Sequence, residues 1–238
     1  MNEVVRLHPE LRGVCHGCRG TYAELITRTT SAGEIQHWHA DCLEEKRAWL
    51  RDRAGNVLEE LPAVSWTDVA DREFLRRVHP DLATFAREHE PREHGSALLL
   101  GPSGCGKTLA IAALAHRLVA AARAHLTEPE AQWIAGALWT TAHELVRARR
   151  QHPLGEGEAP AIERAMEAIV LFIDELGCEP ASEVIFELVD HRYSRRLPTI
   201  VTSGPTLAAF ASRYGDALVR RLAETGVGTI VDVHPEAT

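Results

Sequence analysis

The octapeptide Gly101-Pro-Ser-Gly-Cys-Gly106-Lys107-Thr108 constrains this chain more than any other feature it carries. It fits the phosphate-binding pattern G-x-x-x-x-G-K-[ST] at every position. Glycines allow the backbone to close around phosphate oxygens and turn its N–H groups inward. Lys107 brings a point charge to the β- and γ-phosphates, and the Thr108 hydroxyl is a ligand for Mg²⁺. The segment SALLL before the loop reads as a buried strand. The Ala/Leu-rich stretch after it reads as a helix whose positive end faces the phosphates. The expected ATP contacts are therefore Gly101, Pro102, Ser103, Gly104, Cys105, Gly106, Lys107, Thr108 and Leu109. Cys105 fills a position that tolerates most residues.

A second element answers the first. Ile169-Val-Leu-Phe-Ile-Asp174-Glu175 is an apolar run ending in two acids. This places both carboxylates at the carboxyl end of a buried strand, where open α/β sheets bind ligands. Asp174 is expected to hold the Mg²⁺ shell and Glu175 to polarise the attacking water as general base. The glutamate points to hydrolysis rather than to a small-molecule kinase.

Short apolar runs alternate with helical patterns from residue 96 onward. The runs are Ala97–Leu100, about Trp133–Leu138, Ala168–Ile173, Thr199–Thr202 and Gly228–Val233. Helical patterns cover Lys107–Ala124, Ala142–Arg150, Ala159–Ala165, Ser182–Tyr193 and Leu207–Leu222. Continuously apolar strands are buried on both faces, so the expected class is α/β with a parallel five-stranded sheet flanked by helices. Three parts are expected: a small Cys/His unit at 1–55, a linker with a connecting helix at 56–94, and the ATPase domain at 95–238. Thr67 or Asp68 could cap the connecting helix, with Trp66, Val69, Phe74, Leu75 and Val78 apolar and His79-Pro80 as a break.

The stretch LFIDELGCEPASEVIFELVDHRYSRRLPTIVTSGPTLAAFASRYGDALVRRL resembles the core of AAA+ ATPases of the DnaC/DnaI helicase-loader and IstB transposition-helper group. The resemblance covers about residues 95 to 235 and implies the AAA+ strand order and nucleotide-dependent assembly into rings or spirals. By motif position it puts Thr202-Ser203 at the first sensor. The group usually has Asn there, and Ser203 is the residue carried into the nucleotide site. Arg221, in the Arg-Leu pair after Tyr214-Gly215-Asp216, matches the arginine finger that reaches a neighbour's γ-phosphate, with Arg220 next in line.

Cys15-His-Gly-Cys18 and His39-Ala-Asp-Cys42 form C-x₂-C-x₂₀-H-x₂-C. Two short-spaced pairs of this kind close a tetrahedral Cys₃His site that selects Zn²⁺. The second pair opens an expected helix, Ala40 to Arg53, where i and i+3 share a face. The pattern resembles half of a LIM domain or a treble-clef finger; His37, and more remotely His16, could substitute as a ligand. Residues 11 to 50 hold too few large apolar groups to fold without such a staple.

The remaining composition limits partners. No apolar stretch approaches the ~20 residues of a membrane span, and MNEVVRLHPE is not a signal peptide, so a cytoplasmic protein is expected. The net charge of −8 excludes a chain coated in positive charge but not a local stripe for DNA. Two arginine clusters could touch phosphates: Arg147, Arg149 and Arg150, and Arg192, Arg195 and Arg196. Trp133 and Trp139 lie near them. The resemblance implies a helicase loader that grips single-stranded DNA and a replicative helicase as an ATP-dependent homo-oligomer, with the zinc unit binding the partner. A transposition helper and a nucleotide-gated adaptor with weak ATPase are the alternatives. Intact Lys107, Asp174 and Glu175 count against the adaptor.

Overall fold

The computed structural model describes residues 13–22, 25–29, 35–45, 48, 76–125, 136–153, 155–180, 183–224 and 228–235. In the N-terminal unit, strands β1 (Gly13–Val14) and β2 (Thr21–Tyr22) form one antiparallel pair, and β3 (Ile26–Thr29) and β4 (Ile35–Trp38) form a second. Residues 40–45 are helical, as expected of the stretch after His39. Cys15, Leu25, Trp38 and Leu43 make a small core. Trp49 and Leu50 lie outside the described residues, as do Trp66, Val69, Phe74 and Leu75 of the expected connecting helix, and Trp133.

The larger, α/β part opens with α1 (Pro80–Glu88) and α2 (Pro91–His94). The break expected at His79-Pro80 is present: His79 caps α1, and Pro80 takes the first helical position, where its missing N–H is harmless. Then follow β5 (Ala97–Leu100), α3 (Lys107–His125), β6 (Ala137–Thr141), α4 (Ala142–Gln151), α5 (Pro160–Glu167) and β7 (Val170–Leu176). The last elements are α6 (Val184–Ser194), β8 (Thr199–Ser203), α7 (Leu207–Tyr214), α8 (Asp216–Glu224) and β9 (Thr229–Asp232).

The five strands β5 to β9 form one parallel sheet in the order β6-β7-β8-β5-β9. Its side chains alternate cleanly between two cores. Ala97, Leu99, Val170, Phe172 and Ile200 face α1 and α3, while Leu98, Leu100, Leu171, Ile173 and Val201 face α4 to α8. Burial on both faces is why these strands read as unbroken apolar runs.

The structure corrects three expectations. Strand β6 sits later than 133–138, running through the β-branched Thr140 and Thr141. It is an edge strand, half-buried along its length, so no apolar run marks it. The helix expected over Leu207–Leu222 is two helices, because Gly215 takes φ +84 and ends α7. The last part of the expected linker packs into the core beneath the five-stranded sheet. Val78, Leu82, Phe85 and Ala86 join α3 in one cluster, and Arg117 on α3 donates to the carbonyls of Ala86 (3.1 Å) and His89 (2.5 Å) at the end of α1.

Candidate functional site

The glycine-rich loop joins β5, an interior strand between β8 and β9, to α3. Lys107 Nζ donates to the carbonyls of Gly101 (2.6 Å) and Pro102 (3.0 Å), which holds the ammonium over the loop. Gly104 and Gly106 have φ of +82 and +96, so the loop needs their conformational freedom. A Cβ on Gly106 would also fall 2.7 Å from the Cα of Val78.

Two strands away from β5, across β8, Asp174 is buried near the end of β7. It accepts from the hydroxyls of Thr108 (3.1 Å) and Thr202 (2.5 Å) on the same oxygen. The Thr202 hydroxyl in turn accepts the N–H of Glu175 (3.0 Å). A bulge between Ile173 and Leu176 interrupts the β7–β8 register, and Glu175 within it has φ +59. A glutamate gains nothing locally from left-handed backbone, and such outliers gather at functional sites. Here the kink leaves the Glu175 side chain exposed while its neighbours Asp174 and Leu176 are buried.

One cleft of about 530 Å³ is lined by Ser103, Gly104, Gly106, Lys107, Thr108, Leu109, Glu175 and Ser203 among the expected residues; Asp174 is not on its wall but is bonded to two residues that are, Thr108 and Thr202. Of the Thr202-Ser203 pair, Thr202 reaches Asp174, whereas the Ser203 hydroxyl donates to the Leu176 carbonyl (2.5 Å). Sequence reasoning also missed Arg76 and Arg77, which line the cleft from the chain ahead of α1. Only their nearness to Val78, a connector position expected to be apolar, could have signalled it.

The family described as IstB-like ATP binding protein matches residues 70–224, well over half of the chain. The chain belongs to that family.

Membership in the IstB-like family makes the chain an ATP-binding AAA+ protein, and its glycine-rich loop opens onto the cleft. Shorter similarities point to other ATPases of this class. A proteasome-associated ATPase of Jonesia denitrificans is 42% identical over 72 residues, 26% of this chain and 12% of that protein. An "AAA ATPase forming ring-shaped complexes" of Kocuria rhizophila is 39% identical over 90 residues, 33% of this chain and 15% of that protein. The chain thus spans a small fraction of the length of these curated relatives. Among solved structures, the DnaC helicase loader aligns over 76% of this chain and 99% of its own, at 22% identity and a TM-score of 0.47.

Ahead of the segment matched by the IstB-like family, the two short-spaced pairs come together. The ligand atoms of Cys15, Cys18, His39 and Cys42 all lie within 4.8 Å of one another. Cys15 and Cys18 sit in the turn between β1 and β2, where the N–H of Arg19 donates to the Cys15 carbonyl (3.0 Å). His39 and Cys42 open the helical turn after β4. His39 Nδ1 lies 3.3 Å from Cys15 Sγ and 3.7 Å from Cys18 Sγ. Burial raises the Cys15 thiol, but hydrogen bonds from the His39 side chain and nearby backbone N–H groups outweigh it and bring it to about 6. Cys42 is pushed up to about 11 by burial and the sulfurs of Cys18 and Cys15. Three sulfurs competing for negative charge around one imidazole nitrogen suit a divalent cation. A tetrahedral zinc site with Zn–S bonds of about 2.3 Å would need only a small contraction of the quartet. His37 and His16 are not part of it.

Arg221 lies outside the nucleotide cleft of its own chain. On α8 its Nε donates to Asp190 (2.5 Å), and its guanidinium stands 4.8 Å from the Phe186 ring centroid. Both rings beside it, Phe186 and Tyr193, are exposed. The expected DNA clusters are thinner than the sequence suggests. Arg192 is fully buried, donating to the carbonyls of Ala165 (2.8 Å), Ala168 (2.6 Å) and Pro198 (2.6 Å), so it cannot meet phosphate. Burial drives its guanidinium down to about 9, still charged at neutral pH. Arg149 is engaged by Glu158 and Glu187. Arg147, Arg150, Arg195 and Arg196 remain exposed. Trp139 is partly buried, with one face stacked on Phe172. Among the described residues, no helix is long and apolar enough to cross a membrane.

Proposed function

We propose that this IstB-like ATPase hydrolyses ATP as a cytoplasmic homo-oligomer and loads a replicative helicase onto single-stranded DNA. The observation that carries the hydrolytic reading is the Thr108–Asp174–Thr202 chain of hydrogen bonds beside Glu175 in one cleft. Lys107 would shift from the Gly101 and Pro102 carbonyls to the β- and γ-phosphates. Thr108 and Asp174 are the pair to hold Mg²⁺, whose charge would offset that developing on the transferred phosphate. Glu175, held by its own N–H on Thr202, would take a proton from the attacking water. Arg221 does not line its own cleft and is proposed to act on a neighbour's γ-phosphate, which would make hydrolysis depend on assembly.

The choice of partner rests on the N-terminal unit. A zinc-held Cys15–Cys18–His39–Cys42 unit within residues 1–55 would be the module that meets a helicase. The exposed arginines of α4 and of the turn after α6, neighbouring helices joined by the Arg149–Glu187 pair, are the proposed contacts to DNA phosphates. A second reading is favoured by the family match itself: a transposition helper that marks target DNA for a transposase.

Purified full-length chain, with and without ATP, presented to the host's replicative helicase and transposase tests the choice. ATP-dependent capture of the helicase, lost in Cys15→Ser, supports loading. Capture of the transposase instead, unaffected by Cys15→Ser, would make the transposition helper the better answer.

A further inference from the structure

Glu179 is a buried carboxylate outside the expected site, with a side chain 2% exposed. Its Oε2 accepts the N–H of Gly177 (2.7 Å), and its Oε1 accepts the hydroxyl of Tyr214. Arg213 donates to the Glu179 carbonyl at 2.5 Å and stands 3.5 Å from Oε1. These partners come from two places. Gly177 belongs to the turn that leaves β7 two residues after Glu175, and it adopts φ +114 directly beneath the Ser203 hydroxyl. Arg213 and Tyr214 form the last turn of α7, one glycine before α8, which carries Arg221.

Burying a carboxylate costs several kcal/mol unless its partners return it, and an apolar side chain could have filled the space instead. What an apolar residue could not do is bond both segments at once. Tyr214 shares the arrangement: burial and the adjacent Glu179 push its phenol well above the ordinary range, so it stays a proton donor to the carboxylate.

We propose that Glu179 is a positioning residue that ties the Glu175 turn to the Arg213–Tyr214 corner, so that displacement of α8 on engaging a neighbouring subunit re-aims the general base of its own site. This rests on the proposed roles of Glu175 and Arg221. Each subunit would then sense, through one carboxylate, whether its own arginine is engaged next door.

The test is steady-state ATP hydrolysis by the full-length chain, with nucleotide affinity measured by a fluorescent ATP analogue. In Glu179→Gln, kcat is expected to fall about 10- to 100-fold while KM stays within about twofold. Tyr214→Phe removes one hydroxyl without disturbing the packing; it should lower kcat in the same direction and add nothing further in the double variant. Wild-type kcat in both variants overturns the proposal. So does a loss shared equally by kcat and nucleotide affinity, which a merely structural role would produce. If Glu179→Gln does not fold, unchanged kcat in Tyr214→Phe alone is decisive. Glu175→Gln is measured alongside: its continued turnover would overturn the base assignment, whereas an inactive Glu175→Gln beside a fully active Glu179→Gln removes only the link.

Discussion

The Thr202 hydroxyl donates to the Asp174 carboxylate at 2.5 Å while accepting the N–H of Glu175 at 3.0 Å. One side chain therefore orients Asp174, the acid proposed to hold Mg²⁺, and the left-handed residue after it. Thr202→Val should leave the Glu175 N–H without its acceptor, at about 1–3 kcal/mol, and lower kcat about tenfold or more with ATP binding retained. Thr202→Ser should restore most of the rate. Equal kcat in the Val and Ser variants would show that the hydroxyl does not matter.

Lys107→Ala should abolish ATP binding, because the loop loses the cation proposed to meet the β- and γ-phosphates. Glu175→Gln should bind ATP normally, stop turnover and leave an ATP-held assembly. Equilibrium binding and phosphate release separate the two phenotypes, and normal affinity in Lys107→Ala would sink the site.

Arg221→Ala should bind ATP yet lose hydrolysis by on the order of 10³-fold. Mixing it with Lys107→Ala should recover part of the activity, since one variant supplies an intact cleft and the other an intact arginine. Failure of the mixture, or an equal loss in Arg220→Ala with none in Arg221→Ala, would point to the wrong arginine.

Elemental analysis should find one zinc per chain, lost when Cys15, Cys18 or Cys42 is replaced by Ser. Removal of the metal with a strong chelator should unfold the N-terminal unit, whose core of Leu25, Trp38 and Leu43 is too small to stand alone. A metal-free chain with that unit still folded would refute the assignment.

His89 gives the fold an acid-sensitive point. Burial lowers its imidazole to about 4, with the ring stacked on Phe85 and Nε2 3.3 Å from the Gly95 carbonyl. An unfolded histidine titrates near 6.5, so between about pH 6.5 and 4 the unfolded chain binds the extra proton. Stability should fall as pH drops through that window, by roughly 3 kcal/mol at its lower end. His89→Gln should flatten the dependence of Tm on pH; parallel curves would assign the acid sensitivity to other groups.

Much of the site was legible because its chemistry needs fixed residues at fixed spacings. Lys107, Thr108, Asp174 and the Cys/His quartet declare themselves in this way, and doubly buried strands such as Leu98–Leu100 leave unbroken apolar runs. What stayed hidden depends on the third dimension. Thr202 was one of two hydroxyl residues at a strand end, and only the bulge at Glu175 decides which of them meets Asp174. Arg192 looked like one more cation in an arginine-rich stretch, yet the carbonyls that hold it come from α5 and the segment before β8. Edge strand β6 carried no apolar run because half of it faces solvent.

The close fit of Val78 against Gly106 has an evolutionary consequence. With Arg76 and Arg77 on the wall of the cleft and α1 clamped by Arg117, the catalytic unit cannot be inherited as a cassette that begins at the P-loop strand. Any recombination that gave this ATPase a new N-terminal partner module would have to cross the chain ahead of residue 76. A crossover after that point would transplant a nucleotide site with one of its walls missing.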